Sequence, residues 1–291
     1  MKNTLRSAVL SAVMLLGAQS AMADVTVSGD YLEFGVGNNG SLIDFGTFTG
    51  IKFDPTGMGN FVSSPDFITP GTPFSYYSIG VNGSYDTAGG YSPGYNPFTS
   101  TTGSFTGAGT TYVITSNGNY AGLKISQVIS FDLNSNIIHT NVVLTNASGG
   151  TLKNVVYGTG LDPDQDATCC TYSTMNTING QGVGASVSAM GAYTGLTITM
   201  SNTSGWVDTT ASVNNWQTDP YFLTAGVTNV GDGDNAIALG YKFGDMKSHQ
   251  QISIGYDYTI TAAAVPEPET YGMLLAGLGI VGFLARRRKQ A

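Results

Sequence analysis

The sequence predicts an all-β protein: an antiparallel β-sandwich-like body, preceded by an N-terminal signal helix and followed by a short C-terminal transmembrane helix. Three observations carry this. Glycine supplies 40 of the 291 residues, and Tyr and Phe supply 16 and 13, a mixture of turn formers and strand formers. Only 10% of the residues are charged, against about 25% in an ordinary globular chain, so charge-driven disorder is excluded. Between the two ends no stretch keeps a helical period, whereas many short runs alternate or are β-branched.

Residues 1–23 read as a secretory signal. Lys2 and Arg6 form a basic start, 8–18 an apolar stretch, and Ala21-Met22-Ala23 the small-x-small pattern that places cleavage before Asp24. The Sec translocon and signal peptidase are the partners that this segment implies.

The body, 24–264, is expected to be one exported β-rich domain. Candidate strands fall at 25–36, 41–53, 111–115, 122–133, 137–145, 152–160, 184–189, 196–200, 236–243 and 251–261, most bounded by Gly, Asn, Asp or Pro. Asn134-Ser135-Asn136 and the 146–150 turn predict three consecutive antiparallel strands from 122 to 160. The Pro-, Gly-, Ser- and Tyr-rich segment 63–110 is too long for a structureless loop in a compact domain, so short strands are expected within it. The run 236–241 followed by 252–258 looks like a closing hairpin.

The tail, 265–291, opens on Val265-Pro266-Glu267-Pro268-Glu269 and continues as an apolar run to residue 285. It ends on Arg286, Arg287, Arg288 and Lys289. A helix over 271–285 rises about 22 Å, short of the ~30 Å hydrocarbon core. This is a marginal anchor, suited to holding the precursor at the inner membrane transiently. The four cations keep their end cytoplasmic and leave the body outside.

Pro266-Glu267-Pro268, a short apolar helix and a terminal basic cluster, in that order, resemble the PEP-CTERM sorting signal of exported proteins from Gram-negative bacteria. The resemblance implies recognition by an exosortase, a transpeptidase-like cysteine enzyme of the inner membrane that cuts near the Pro-Glu-Pro motif. It also implies a destination at the cell surface or in the extracellular matrix of cells that make exopolysaccharide and biofilm.

The formal charge is −8, and 24–264 holds seventeen carboxylates against five lysines and no arginine. The fork that grips phosphate and the basic stripe that tracks nucleic acid are both missing, so nucleic acid is excluded as a main partner. Divalent cations or neutral glycans, extracellular polysaccharide among them, suit such a surface better.

Asp162, Asp164 and Asp166 stand at alternating positions around Pro163. Carboxylates so spaced can converge on Ca2+, which takes six to eight oxygens at about 2.4 Å. The spacing follows the first half of an EF-hand-like loop, but Ala167 replaces the glycine and Ser173 the closing glutamate. Help is therefore expected from Asn176, Asn179 or backbone carbonyls. The alternative is an Asx-type turn. Asp232 and Asp234 form a second acidic turn open to the same two readings. Cys169 and Cys170, exported into an oxidising compartment, are expected to form a vicinal disulfide, with free thiols and intermolecular links as alternatives.

Catalysis finds little support in the sequence. His139 and His249 lie in no nucleophile motif, and Glu33 and many aspartates single out no pair of facing carboxylates. The expectation is a surface protein that is not an enzyme. The alternatives are a carbohydrate-binding module using aromatics such as Trp206, Trp216, Tyr76, Tyr77, Tyr91, Tyr95 and Tyr221, or a secreted glycan-active hydrolase.

Overall fold

A computed structural model describes residues 24–90, 94–106 and 109–263, together with Leu278. Ala21 and Ala23, the Pro266-Glu267-Pro268 motif, the basic residues Arg286, Arg287, Arg288 and Lys289, and the expected helix 270–285 apart from Leu278 lie outside the described residues. Among the described residues no helix is long and apolar enough to cross a membrane. Asp24, the expected first residue of the mature protein, accepts hydrogen bonds from the backbone N–H groups of Asn38 and Gly46.

In chain order the elements are β1 (Val25–Ser28), β2 (Leu32–Val36), β3 (Ile51–Phe53), β4 (Ser75–Val81), β5 (Ser84–Gly90), β6 (Phe98–Thr106), β7 (Thr111–Tyr120) and β8 (Leu123–Asp132). There follow β9 (Ile137–Asn146), β10 (Leu152–Leu161), β11 (Thr174–Gly180), β12 (Ser186–Gly191), β13 (Thr197–Asn202), β14 (Thr209–Asn214), α1 (Pro220–Ala225), β15 (Ala236–Met246) and β16 (Gln251–Thr261). Strands β11-β12-β13-β16-β9-β8-β7-β6 form one sheet, β14-β15-β10-β4-β5 a second, and β1-β2-β3 a small third. The strand pairings within the sheets are antiparallel.

The eight-stranded sheet is amphipathic by simple alternation. In β16 Ile252, Ile254, Tyr256, Tyr258 and Ile260 are buried while the intervening residues face outward, and β8 and β9 repeat the pattern. A period of two places every second side chain on the core face. Opposite lie Tyr77 and Ile79 of β4, Tyr157 of β10, and Leu239 and Tyr241 of β15. Tyrosines knit the core: within the five-stranded sheet the rings of Tyr77 and Tyr157 stack at 5.9 Å, and across the layers the hydroxyls of Tyr157 and Tyr256 meet at 3.0 Å.

The 122–160 region departs from the expected three-stranded meander. β8 and β9 do form the hairpin, but β10 crosses to the five-stranded sheet and pairs with β4 and β15. Its residues 155–161 are buried without alternation, as befits a central strand covered on both faces. The expected closing hairpin is likewise a crossing, since β15 and β16 belong to different sheets. The 63–110 segment holds β4, β5 and β6, the short strands expected there.

The outer face of the five-stranded sheet is covered by α1, a single turn and a half begun by Pro220 and capped by the Asp219 carboxylate, which accepts from Tyr221 N. Gly158 and Gly240, partners across β10 and β15, make room for it. A Cβ on either would lie within 2.8–3.0 Å of Leu223. This close seat fixes the loop between β14 and α1, which carries Trp216.

Candidate functional site

Three chain segments meet beyond the end of β10. The first is Asp162-Pro163-Asp164, anchored by Asp162 N to the Phe74 carbonyl (2.9 Å) and Asp164 N to the Phe67 carbonyl (2.7 Å). The second is the turn before β15, where Gly233 exchanges backbone hydrogen bonds with Thr174, both 3.0 Å. In this turn the Asp232 carboxylate accepts from Asn176 N and is turned aside, while Asp234 faces the first segment. The third is the β14–α1 loop. Trp216 adopts φ 52° there, and the loop is tied by Gln217 N donating to Asn214 Oδ1 and by the Tyr76 hydroxyl donating to the Gln217 carbonyl.

These segments enclose a pocket of about 320 Å³ lined by Gly71, Thr72, Asp162, Asp164, Tyr172, Trp216 and Asp234. One carboxylate oxygen from each of Asp162, Asp164 and Asp234 lies within 4.8 Å of the others. Asp162 and Asp164 are buried, 5% and 2% exposed, whereas Asp234 is exposed. Trp216 Nε1 donates to Asp162 Oδ2 at 2.5 Å. Asp162 Oδ1 and Asp164 Oδ1 have no hydrogen-bond partner among the described residues. Tyr172 is half exposed at the rim, its ring lying over Gly71, where a Cβ would meet it at 2.9 Å.

Burial disfavours the ionised form of a carboxyl group. It pushes Asp162 up to about 6, against the lowering effect of the Trp216 bond. Burial, together with the charges of Asp162 and Asp234, pushes Asp164 up to about 8. Asp164 therefore holds its proton to higher pH than Asp162. Such an arrangement can take up a hard cation in place of protons, or serve as a proton donor and acceptor facing one ligand.

Asp166, grouped by the sequence with Asp162 and Asp164, stands elsewhere. Its side chain is fully buried and accepts from Tyr193 N, Thr194 N and Thr194 Oγ1. Gln165, between Asp164 and Asp166, is also buried, its amide donating to the Ala189 and Leu196 carbonyls. Asp234 completes the triad from 70 residues further on. Of the expected helpers, Asn176 holds the Asp232 turn and Asn179 donates to Ser188; neither reaches the pocket. Cys169 and Cys170 are joined to each other, with Cα atoms 3.7 Å apart, on the turn leading to Tyr172.

Of the aromatics considered for sugar contact, Tyr76 and Tyr77 are core residues. Trp206 packs on Phe243 and donates to the Lys242 carbonyl. Tyr95 packs edge-on to Tyr120, the Tyr221 hydroxyl accepts from Gly83 N, and Tyr91 lies outside the described residues. Among the described residues of this group, Trp216 alone lines the pocket. Tyr172 was not singled out in the sequence, where its only signal is proximity to the acidic loop. His139 is paired with Asp257 at 2.8 Å on the outer face of the eight-stranded sheet, away from the pocket.

The chain carries the PEP-CTERM protein-sorting motif at residues 264–289. It is an exported, sorted protein, held transiently in the membrane before exosortase processing. No curated protein matches the chain. Solved structures similar to it include a galactose mutarotase related enzyme from Lactobacillus acidophilus, 10% identical with a TM-score of 0.38, the match covering 84% of this chain and 99% of that one. A putative aldose 1-epimerase from Escherichia coli K12 is 10% identical with a TM-score of 0.41, over 83% and 100% of the two chains. A bacterial glucoamylase complexed with acarbose is 10% identical with a TM-score of 0.48, over 87% of this chain. The match spans 34% of the glucoamylase and 33% of a polysaccharide lyase that is also similar.

The expectation of a non-enzyme is corrected. It rested on the sequence singling out no carboxylate pair, and the fold singles out Asp162 and Asp164, buried side by side in an open pocket.

Proposed function

We propose that this protein works at the cell surface or in the extracellular matrix, where its pocket engages exopolysaccharide, including that of biofilm. One observation carries the reading: Trp216 and Tyr172 flank a floor formed by the buried carboxyl groups of Asp162 and Asp164, each with its Oδ1 lacking a partner among the described residues. Aromatic rings offer an apolar face to a sugar ring, and carboxylate oxygens accept from its hydroxyls. Calcium belongs to the same reading, because an exported protein meets it at roughly the millimolar concentrations that weak extracellular sites require.

A second reading, sugar-transforming chemistry in the same pocket, is favoured by two buried carboxyl groups that line it side by side, with burial and its charged neighbours raising Asp164 above Asp162. A general acid and a general base need that difference.

Electrophoretic retardation of the purified protein in polysaccharide-containing gels tests the first reading. Retardation is expected for the native protein and its loss for Trp216→Ala combined with Tyr172→Ala. Unaltered mobility across neutral and acidic polysaccharides would refute it. Release of reducing or unsaturated sugar, abolished by Asp164→Asn, is the expected sign of the second.

A further inference from the structure

We infer that Asp162, Asp164 and Asp234 hold one Ca2+-sized cation whose open side binds a neutral glycan through vicinal hydroxyls. This deepens the glycan reading and rests on it for the second half alone.

The geometry of the cation half is specific. Three carboxylate oxygens on two chain segments converge within 4.8 Å, a spread that contracts onto a single ion at 2.3–2.6 Å by small side-chain movements. The independent pointer is Asp164. It is 2% exposed, its Oδ1 has no partner among the described residues, and it faces the pocket. Leaving such an atom unmet is costly, and its surroundings are set up to receive a positive group. Asp162 is pre-oriented, since Trp216 holds its Oδ2 and leaves Oδ1 without a partner.

Three carboxylates fall short of the six to eight oxygens that Ca2+ takes. The remaining positions open into about 320 Å³ of pocket, large enough for a sugar ring beside water. Charge selects the class of sugar. Three carboxylates outweigh a doubly charged cation, and the body around them carries seventeen acidic groups against five lysines. A polyuronate is repelled by that field. A neutral ring with two adjacent hydroxyls supplies two oxygens at no electrostatic cost, and Trp216 and Tyr172 stand where its apolar face would lie.

The two halves are tested separately on the purified protein. In the absence of glycan, Tb3+ substituted for Ca2+ is expected to luminesce on indole excitation, because Trp216 touches a ligand residue. Asp164→Asn and Asp234→Asn are expected to lose the signal, and excess Ca2+ to quench it. Ca2+ at about 100 times its dissociation constant is expected to raise the melting temperature by roughly 5–10 °C. Melting of each variant in chelator shows that it folds. Absence of both the luminescence and the melting shift overturns the cation site and leaves the glycan reading to its own gel assay. For the second half, retardation by a neutral galactomannan is expected to need Ca2+ and to exceed that by polygalacturonate. Retardation that chelator leaves unchanged, or a preference for the polyuronate, overturns the bridging role while sparing the glycan reading.

Discussion

The indole N–H of Trp216 donates to the carboxylate of Asp162 across 54 residues of sequence, linking the loop that α1 secures to the end of the central strand β10. The bond lowers the Asp162 carboxyl against the raising effect of burial. Trp216→Phe keeps an aromatic face and removes the donor. A hydrogen bond to a charged group contributes about 1.5–3 kcal/mol. The Asp162 titration is therefore expected to move above its midpoint of about 6, as followed by carboxyl-carbon NMR. Glycan retardation is expected to weaken in Trp216→Phe and to vanish in Trp216→Ala.

Stability of the cation-free protein is expected to fall as pH rises across the neutral range. Asp162 and Asp164 are raised in the folded state from the ordinary 3.8 to about 6 and about 8, by burial first and by neighbouring negative charge second. A carboxyl group that binds its proton more tightly when folded contributes stability that is fully present below the unfolded value and is lost as pH passes the folded one. Melting in chelator at pH 5 and pH 9, values on either side of these shifts, is expected to give the lower temperature at the alkaline end. Asp164→Asn is expected to flatten the difference. A flat profile for the native protein would show that the pair carries no such strain.

Asp166 is expected to behave as a structural residue. Its carboxylate accepts three hydrogen bonds from Tyr193 and Thr194, and its backbone carbonyl accepts from Cys170 N at 2.8 Å. Gly191 leaves the space it occupies, since a Cβ there would meet Asp166 Oδ1 at 2.3 Å. Asp166→Ala is expected to cost about 2–4 kcal/mol in denaturant unfolding, the range for breaking a buried hydrogen-bond network. Terbium luminescence of the folded fraction is expected to persist, which separates this residue from Asp162 and Asp164.

What the sequence made legible follows from what is local. The β8–β9 hairpin is written in two alternating runs and an Asn-Ser-Asn turn, all within 25 residues. Asp162 and Asp164 are two positions apart on one short segment after β10, so their nearness is local. Asp234 and Trp216 come from other segments and are placed by strand pairing and by the seat of α1 on Gly158 and Gly240, which no local pattern announces. The 146–150 turn departs from the hairpin expectation for the same reason, since β9 and β10 belong to different sheets. Asn146 folds the chain back through its own Ser148, but its side-chain amide also donates to the Met246 carbonyl. It thereby pins together two crossings between sheets where a hairpin turn was expected. Asn202 repeats the device with Ser204, donating to Gly182 and Trp206 carbonyls. An Asn-x-Ser turn looks the same in sequence whether it returns a strand to its neighbour or sends it to the other layer.

Processing of the tail is expected to stop just beyond the last strand. β16 sits between β13 and β9 in the middle of the eight-stranded sheet and ends at Thr261. Ala263 N still donates to the Gly195 carbonyl at 3.0 Å. A cut before these residues would strip buried Tyr258 or Ile260 from the core, each 3% exposed or less, whereas Pro266 follows the strand at a distance of only five positions. The exported form is therefore expected to have the mass of a chain running from Asp24 through Ala263 and ending near Pro266-Glu267-Pro268. Replacing Glu267 by Ala is expected to leave the uncut precursor in the membrane fraction. Intact-mass spectrometry of secreted and membrane fractions checks both. Recovery of secreted protein that retains the Arg286–Lys289 cluster would show that export proceeds without processing at this motif.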